Sequence, residues 1–487
     1  MDVIWLFVVL LFSLISIQFM KIRHISASLP PGPTPLPFIG NLFTTKFQLN
    51  YGILLKLSEI YGNIITIWVG QTPLIVLNGY EAVRECLIIN SRHVSERAIT
   101  PFFKNYAEGK GIIAANGHNW TVQRRLVVKI LRNMDLDKKV LGLRIKTEAC
   151  QLVEILVSQK GIPIDHKYFI NLAITNVMSA VCFGHTFSPK DLLLHRIIES
   201  SDVMTNFFRT YCGQLYDAFP WFMHRLPGPQ QSMYKHLHFL KQYMLYEIRQ
   251  HQQNPSAEPQ DVIDYYLEQI SKVHDDPSTT INEENLIQLL VDLILAGYAN
   301  VAATLQMALL NMAVHQDVQA KVHKEIDAFL ENNENLQYED CTNLPYTNAV
   351  IHEIQRFSNV APLGLPKICT QDIKLQNYSI TKGTIIETNL ASVHMDPKKW
   401  KFPDSFNPSN FLNKEGKFQD NEAFLPFSTG LRICIGEQMA RTEIFIFFTI
   451  LMKTLRFHLP SGVTKSNLNG RGTTSTPHPY KICVIPR

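Results

Sequence analysis

The stretch "FLPFSTGLRICIGEQMARTEIFIFF" (Phe424 to Phe448) holds one cysteine in a loop suited to presenting it. Just after Cys434 comes an amphipathic run of Ala, Met, Phe and Ile that reads as a helix. A sulfur at a helix N-terminus receives backbone N–H groups and the positive end of the dipole, and both favour thiolate, the form that binds metals. Gly430 and Gly436 permit tight turns and the close approach of a large planar ligand. Phe427 would shield the sulfur from water, and Arg432, two residues before Cys434, can reach an anionic group at the ligand's edge. A lone cysteine is usually an inert core residue. A whole window arranged in this way argues instead for a bound group.

A second stretch raises a sharper question. "LAGYANVAAT" (Leu295 to Thr304) lies inside an apolar run from Leu286 to Met312 whose one charge is Asp292. Asn300 is either a satisfied core amide or part of a reaction site. The run reads as a helix of roughly 27 residues, about 40 Å long, enough to cross a whole domain. Asn282 is placed to cap it, and Glu283 and Glu284 complement the dipole in its first turn. The competing reading is a second membrane span. Asp292, Asn300, Gln306 and Asn311 argue against lipid, so a buried core helix is expected.

The chain that must position these groups has 487 residues, 46% of them hydrophobic and 18% charged, ample for a large core. Length alone suggests roughly three domains. No low-complexity or Gly/Ser-rich linker follows residue 45, so one large domain over 46–487 is expected. A formal charge of +4 does not point to nucleic acid. Val3 to Met20 is 18 residues without a charge. As a helix it spans about 27 Å, near the hydrocarbon thickness of a bilayer. Asp2 precedes it, and Lys21, Arg23 and His24 follow it. That favours a retained anchor over 1–25 with the body in the cytosol. A cleaved signal peptide would want a basic leading region and a shorter apolar core. "LPPGPTPLPFIG" (Leu29 to Gly40) cannot be helical and reads as a stiff, extended linker over 26–45. The eight cysteines include no CxxC pair and read as free thiols of a cytosolic body.

Helical periodicity dominates the rest. Short strands are expected at Asn63 to Val69, Thr72 to Asn78, Gly383 to Leu390 and Tyr480 to Pro486, giving a mainly α architecture with a small β subdomain. No P-loop, HExxH or GxSxG occurs. "GKGIIA" (Gly109 to Ala114) lacks the βαβ setting of a dinucleotide fingerprint, so the chain offers no nucleotide site of its own.

Phe427, Gly430, Arg432, Cys434 and Gly436 fill FxxGxRxCxG, the haem-binding signature of the cytochromes P-450. The chain resembles that superfamily over essentially its whole length, and looks most like the vertebrate microsomal family 2, in which "PFSxGxRxCxGE" and "ARxExFIFF" recur. The resemblance implies the cytochrome P-450 fold, with haem b held between the long central helix and the Cys-loop helix and Cys434 as the axial thiolate on its iron. It implies that Glu353 and Arg356 of "HEIQR" pair on one helix face and, with a third residue, lock the cysteine loop. Asn410, in "PDSFNPSNF" (Pro403 to Phe411), stands at that third place, able to donate a hydrogen bond but uncharged. Trp120 and Arg124 of "NGHNWTVQRR", together with Arg97, Lys367 and Arg432, match positions that reach a haem propionate. One propionate cannot need them all, so Arg432, Arg124 and Trp120 rank first.

Arg124, Arg125, Lys129, Arg132, Lys138 and Lys139 resemble the family's docking face for an acidic reductase, where steering by charge speeds encounter. Leu431 departs from the lysine common there. "FPWFMHRLPGP" (Phe219 to Pro229) resembles a membrane-touching lid. By the same resemblance the substrate pocket draws on Phe102, Phe103, Phe207, Phe208, Ala296, Val360, Leu363 and Thr474.

Laid on the family's A-G-x-[DE]-T-T, "AGYANV" keeps Ala296 and Gly297, with Gly297 leaving room for dioxygen against the helix. It puts Ala299 at the acid and Asn300 at the alcohol. A Thr hydroxyl accepts and donates through one oxygen, whereas an amide cannot relay a proton through one atom. General-acid help is worth about 10²–10⁴ in rate, so its loss favours leakage to peroxide unless ordered water substitutes. The leading expectation is a membrane-anchored haem-thiolate monooxygenase of the endoplasmic reticulum. It would insert one oxygen atom into a lipophilic fatty acid, steroid or xenobiotic. Its electrons would come from NADPH through NADPH-cytochrome reductase, with cytochrome b5 as an optional second partner. Asn300 keeps open a hydroperoxide or endoperoxide isomerase on the same scaffold. A non-catalytic haem-binding protein is the third reading.

Overall fold

Asn282 starts the helix around which the chain is wrapped. Its side-chain oxygen accepts the Asn285 N–H at 2.9 Å, and Glu283 and Glu284 follow in the first turn. The helix runs Glu283–Val314, 32 residues, or about 48 Å. It is buried on nearly every side, with 72% of its most apolar window inside the protein, so the apolar run is a core helix. Asp292 is fully buried and fully answered. It accepts the Tyr106 hydroxyl at 2.6 Å, the N–H groups of Ile112 and Ile113 at 2.7 and 2.9 Å, and the Gln288 amide at 3.0 Å. A buried carboxylate with four donors avoids the cost of an unpaired charge, and here it also pins the 109–115 loop to the helix.

The computed structural model describes residues 2–136, 138–207, 210–273, 276, 278–333, 337–463 and 480–487. The architecture is mainly α with a small β part, as the sequence leads one to expect. Two apolar cores lie along the long helix. Leu286 to Leu295 belong to one, shared with Phe102, Phe183 and Leu240. Tyr298 to Ala313 belong to the other, shared with Ile174, Phe447 and Leu451. The seam between them falls at Ala296 and Gly297. The helices Lys167–Phe183 and Glu437–Thr454 flank the long helix.

A five-stranded sheet stands to one side, ordered Ile64–Val69, Thr72–Leu77, Ile385–Thr388, Lys367–Ile368 and Glu96–Arg97. Three of the four expected strands fall in it, and the fourth, Cys483–Pro486, pairs with Leu455–His458. The Pro-rich segment is extended, but it is not a free spacer. Pro30 and Pro31 carbonyls accept from the Thr66 hydroxyl and N–H at 2.7 and 2.9 Å, and a Cβ on Gly32 would lie 2.0 Å from the Thr66 carbonyl. The linker is therefore the first layer of the sheet. Before it, Asp2–Ser26 forms one helix whose apolar stretch from Val3 to Ser26 has none of its window buried.

The helix Pro345–Ser358 carries the clamp. Arg356 meets Glu353 with two parallel bonds of 2.7 Å, and both side chains have no exposure. The remaining guanidinium donors reach the carbonyls of His394, Phe402, Pro403 and Ser405 at 2.7–3.2 Å. Glu353 also accepts the Asn407 N–H at 2.8 Å and the Asn410 amide at 3.2 and 3.3 Å. Asn410 thus sits at the third corner as a neutral donor.

Glu353→Ala should leave a buried guanidinium without its anion and destabilise the fold by about 3–5 kcal/mol. The double change Glu353→Leu with Arg356→Met should recover part of that loss in a denaturant-unfolding measurement. A single variant as stable as the parent would show that the pair does not hold the fold.

Candidate functional site

The cysteine loop owes its path to local chemistry. Gly430 has φ +80°, and a Cβ there would lie 2.0 Å from the Leu87 carbonyl, so only glycine lets the loop dock on that turn. The Cys434 N–H donates to the Phe427 carbonyl at 3.1 Å, closing the turn before Gly436 starts the helix Glu437–Thr454. The Phe427 ring packs 5.1 Å from the Arg441 guanidinium. A Cβ on Gly436 would meet nothing within 4 Å, so there is open room at this point of the loop.

Burial raises the Cys434 pKa, Glu437 adds to the rise, and the Gly436 N–H and Arg124 oppose it. The side chain nevertheless keeps accessible surface. Both facts hold because the sulfur faces a cleft inside the fold.

Four cations gather close to the cysteine loop. Arg432 stacks on Trp120 at 3.8 Å and donates to the Ser95 carbonyl at 2.6 Å, the Ala115 carbonyl at 2.8 Å and Asn116 Oδ1 at 2.9 Å. Arg124 lies on the same ring at 5.8 Å and donates to the Ile433 carbonyl at 2.7 Å, next to the cysteine. Arg97 donates to the carbonyls of Ile113 and Leu365 at 3.2 and 3.1 Å. Lys367 reaches only the Leu365 carbonyl, at 3.5 Å. Burial and mutual repulsion push Arg432 down to about 8 and Arg97 to about 10, and they lower Lys367 as well. The carboxylates that oppose them are Glu387, which burial pushes up, and Glu96. Four cations against two carboxylates leave a surplus that a dianionic ligand edge would balance. Arg432 spends most of its donors on protein acceptors, whereas Arg124 gives one, Arg97 two and Lys367 one, so these three keep donors to spare.

The long helix Glu283–Val314 is buried but for a short open stretch. Ala296 and Asn300 are the exposed residues in the middle of this buried helix, one turn apart on one face. A Cβ on Gly297 would lie 2.4 Å from the Met178 sulfur, so its small size also admits the neighbouring helix Lys167–Phe183. Asn300 Nδ2 makes one long bond, 3.4 Å to the Ala296 carbonyl, and Thr304 donates to the Asn300 carbonyl at 2.8 Å. Asn300 is therefore not a fully satisfied core amide.

Of the expected pocket residues, Val360 and Leu363 are half-buried. Phe102, Phe103 and Phe207 are buried in the core, with Phe102 5.4 Å from Phe103 and 5.9 Å from Phe207. Phe208 and Thr474 lie outside the described residues. Arg125, Lys129 and Arg132 form an exposed basic face, while the side chains of Lys138 and Lys139 lie outside the described ones. Trp221 and Phe222 of the expected lid are exposed, as is Leu431.

One positioning residue was missed. The His394 carbonyl accepts from Arg356, and its ring Nε2 accepts the Leu425 N–H of the cysteine loop at 2.9 Å. Burial and Arg356 push it down to about 3, so the ring is a neutral acceptor. No sequence spacing announces a residue 38 positions from its partner.

The family model described as Cytochrome P450 matches residues 30–484. Human (Homo sapiens) cytochrome P450 2J2 is 38% identical over 476 residues, covering 97% of this chain and 94% of that one. Mouse (Mus musculus) cytochrome P450 2J5 is 37% identical over 474 residues, with the same two shares. Rat (Rattus norvegicus) cytochrome P450 2C7 is 35% identical over 495 residues, 100% of each.

His394 carries a pH signature. The unfolded chain takes up a proton near the ordinary 6.5 that the native ring refuses until about 3. Stability contributed by the neutral ring is present above 6.5 and is lost as pH falls towards 3. Unfolding midpoints of the parent should fall across that window, and His394→Gln should flatten the fall. An unchanged pH slope in the variant would contradict the neutral-acceptor role.

Proposed function

The chain belongs to the cytochrome P450 family and is a monooxygenase, and from that premise we propose a membrane-anchored haem-thiolate enzyme that hydroxylates or otherwise oxygenates a lipophilic small molecule. The observation that carries the reading is the pairing of an accessible Cys434 with a surplus of cations close to its loop. A planar dianion with a thiol-seeking metal at its centre fits both. We assign haem b to this cleft, where Cys434 would be its metal ligand and Arg97, Lys367, Arg432, Arg124 and Trp120 would meet its propionates. The open space at Gly436 suits the close approach of a ring. Haem bound there would supply the oxidising power.

The chain's own residues do the rest. Metal coordination would deprotonate the Cys434 thiol outright. The clamp of Glu353, Arg356 and Asn410, passed on through His394, holds the loop so that the sulfur keeps one position. The Ala296 to Asn300 face stands above the reacting centre, with Val360 and Leu363 beside it as pocket wall. The apolar helix Asp2–Ser26, with Arg23 and His24 in its last turn, suits an endoplasmic-reticulum anchor with the body in the cytosol. The basic face of Arg125, Lys129 and Arg132 suits an acidic electron donor, NADPH-cytochrome reductase first and cytochrome b5 second. Trp221 and Phe222 suit a lid that touches the bilayer. The isomerase and non-catalytic readings are not favoured.

Two arms test the reaction. Purified holoprotein with reductase, NADPH and a panel of fatty acids, steroids and xenobiotics is expected to form oxygenated product. The same protein with a fatty-acid hydroperoxide and no reductase is expected to be much slower. Turnover confined to the hydroperoxide arm would overturn the monooxygenase reading.

A further inference from the structure

A small cavity lies behind the cleft-facing stretch of the long helix. It measures about 30 Å³, and its walls include Asn171, Asp202, Tyr298, Ala299, Asn300 and Asn206. That is room for a water molecule, and the walls supply the several polar partners such a water needs. An open groove of about 480 Å³ lies on the outer side, and Asp202 and Asn206 line both spaces. Asp202 therefore stands where bulk water meets an interior pocket that ends at Asn300.

The carboxylate is held, not loose. The Tyr298 hydroxyl donates to Asp202 Oδ1 at 2.7 Å, Asn171 Nδ2 donates to the Tyr298 oxygen at 2.8 Å, and Gln306 Nε2 donates to Asn171 Oδ1 at 2.9 Å. Burial pushes the Tyr298 hydroxyl up, so it remains a donor. Asp202 Oδ2 has the Lys167 ammonium at 3.8 Å, beyond hydrogen-bond reach, and is open to water. On the inner side, Asn300 has spent one N–H on a 3.4 Å bond. Its second N–H and its carbonyl oxygen can hold a water. Ala299 and Ala303 leave the space that larger side chains would fill.

We propose that Asp202, acting through water in this cavity, feeds protons to the reaction site beside Asn300 and so replaces the acid–alcohol pair that the long helix lacks. The proposal rests on the monooxygenase reading and deepens it. The transfer balances. Asp202 takes a proton from groove water and gives it to the cavity water. That water gives one of its own protons onward, and the carboxylate is restored, so one proton moves and no bond is left changed. Asn300 positions the water, which does the relaying that an amide cannot do through one atom. Asp202 is a relay residue, not a catalytic one, because it touches no reacting atom.

The test uses the full-length holoenzyme with reductase and NADPH. Asp202→Asn keeps an acceptor for Tyr298 and removes the proton carrier. We expect product formed per NADPH to fall on the order of ten-fold, with peroxide rising to match, less than the ~10²–10⁴ of a wholly lost general acid because the water remains. The solvent deuterium isotope effect on product formation should grow. Asp202→Glu should restore most of the coupling. Asn206→Leu, at the exposed mouth, should slow proton entry in the same direction without touching the frame around Tyr298. A high-resolution crystal structure of the parent should show ordered water bonded to both Asp202 and Asn300. Unchanged coupling and isotope effect in Asp202→Asn and Asn206→Leu, or a dry cavity, would overturn the proposal alone. A parent that oxidises no NADPH would overturn the monooxygenase reading and this proposal with it.

Discussion

The rest of the structure hangs on one buried ion pair. Glu353 and Arg356 meet with no exposure to water, and a pair in that setting is weak evidence for stability by itself, because desolvation offsets much of the attraction. What the pair provides is direction. Arg356 holds the carbonyls of four residues between His394 and Ser405, and Glu353 holds Asn407 and Asn410. That crossing segment is fixed to the helix Pro345–Ser358, and the His394 ring passes the constraint to Leu425 in the cysteine loop. The place of Cys434 is thus decided by groups that never touch it.

A second constraint is charge. Burying several cations together is unfavourable unless an anion shares the site, because repulsion grows as water is excluded. Arg97, Lys367 and Arg432 each bear on the others, and the nearby carboxylates do not match them in number. A ligand that binds only the folded chain and carries the missing negative charge stabilises the fold by mass action.

Much of this was legible in the sequence, and the reasons are local. Cys434, Gly430 and Gly436 lie within one loop, Glu353 and Arg356 within one helical turn, and Asn282 directly before its helix. Short spacing fixes relative geometry, so residue type plus spacing suffices. What stayed hidden depends on packing across the chain. The close fit of Gly297 on Met178 depends on a neighbouring helix far away in the chain. The Pro-rich segment was read as a stiff, extended linker, and its bonds to Thr66 along the edge strand Ile64–Val69 were not foreseen. Phe102, Phe103 and Phe207 went into a core because apolar side chains do not declare which side of a helix stays open. Asp202 and His394 carried no signal at all, since each acts on a partner brought near only by the fold.

The central claim is that the Cys434 sulfur is the metal ligand of a haem in this cleft. It is tested most directly by the carbon monoxide difference spectrum of the reduced, haem-loaded protein. The account predicts the red-shifted band that marks thiolate ligation in the parent, and its loss in Cys434→Ala while the far-ultraviolet circular dichroism stays that of a folded, mainly helical protein. A parent without that band, or a Cys434→Ala protein that keeps it, would contradict the account.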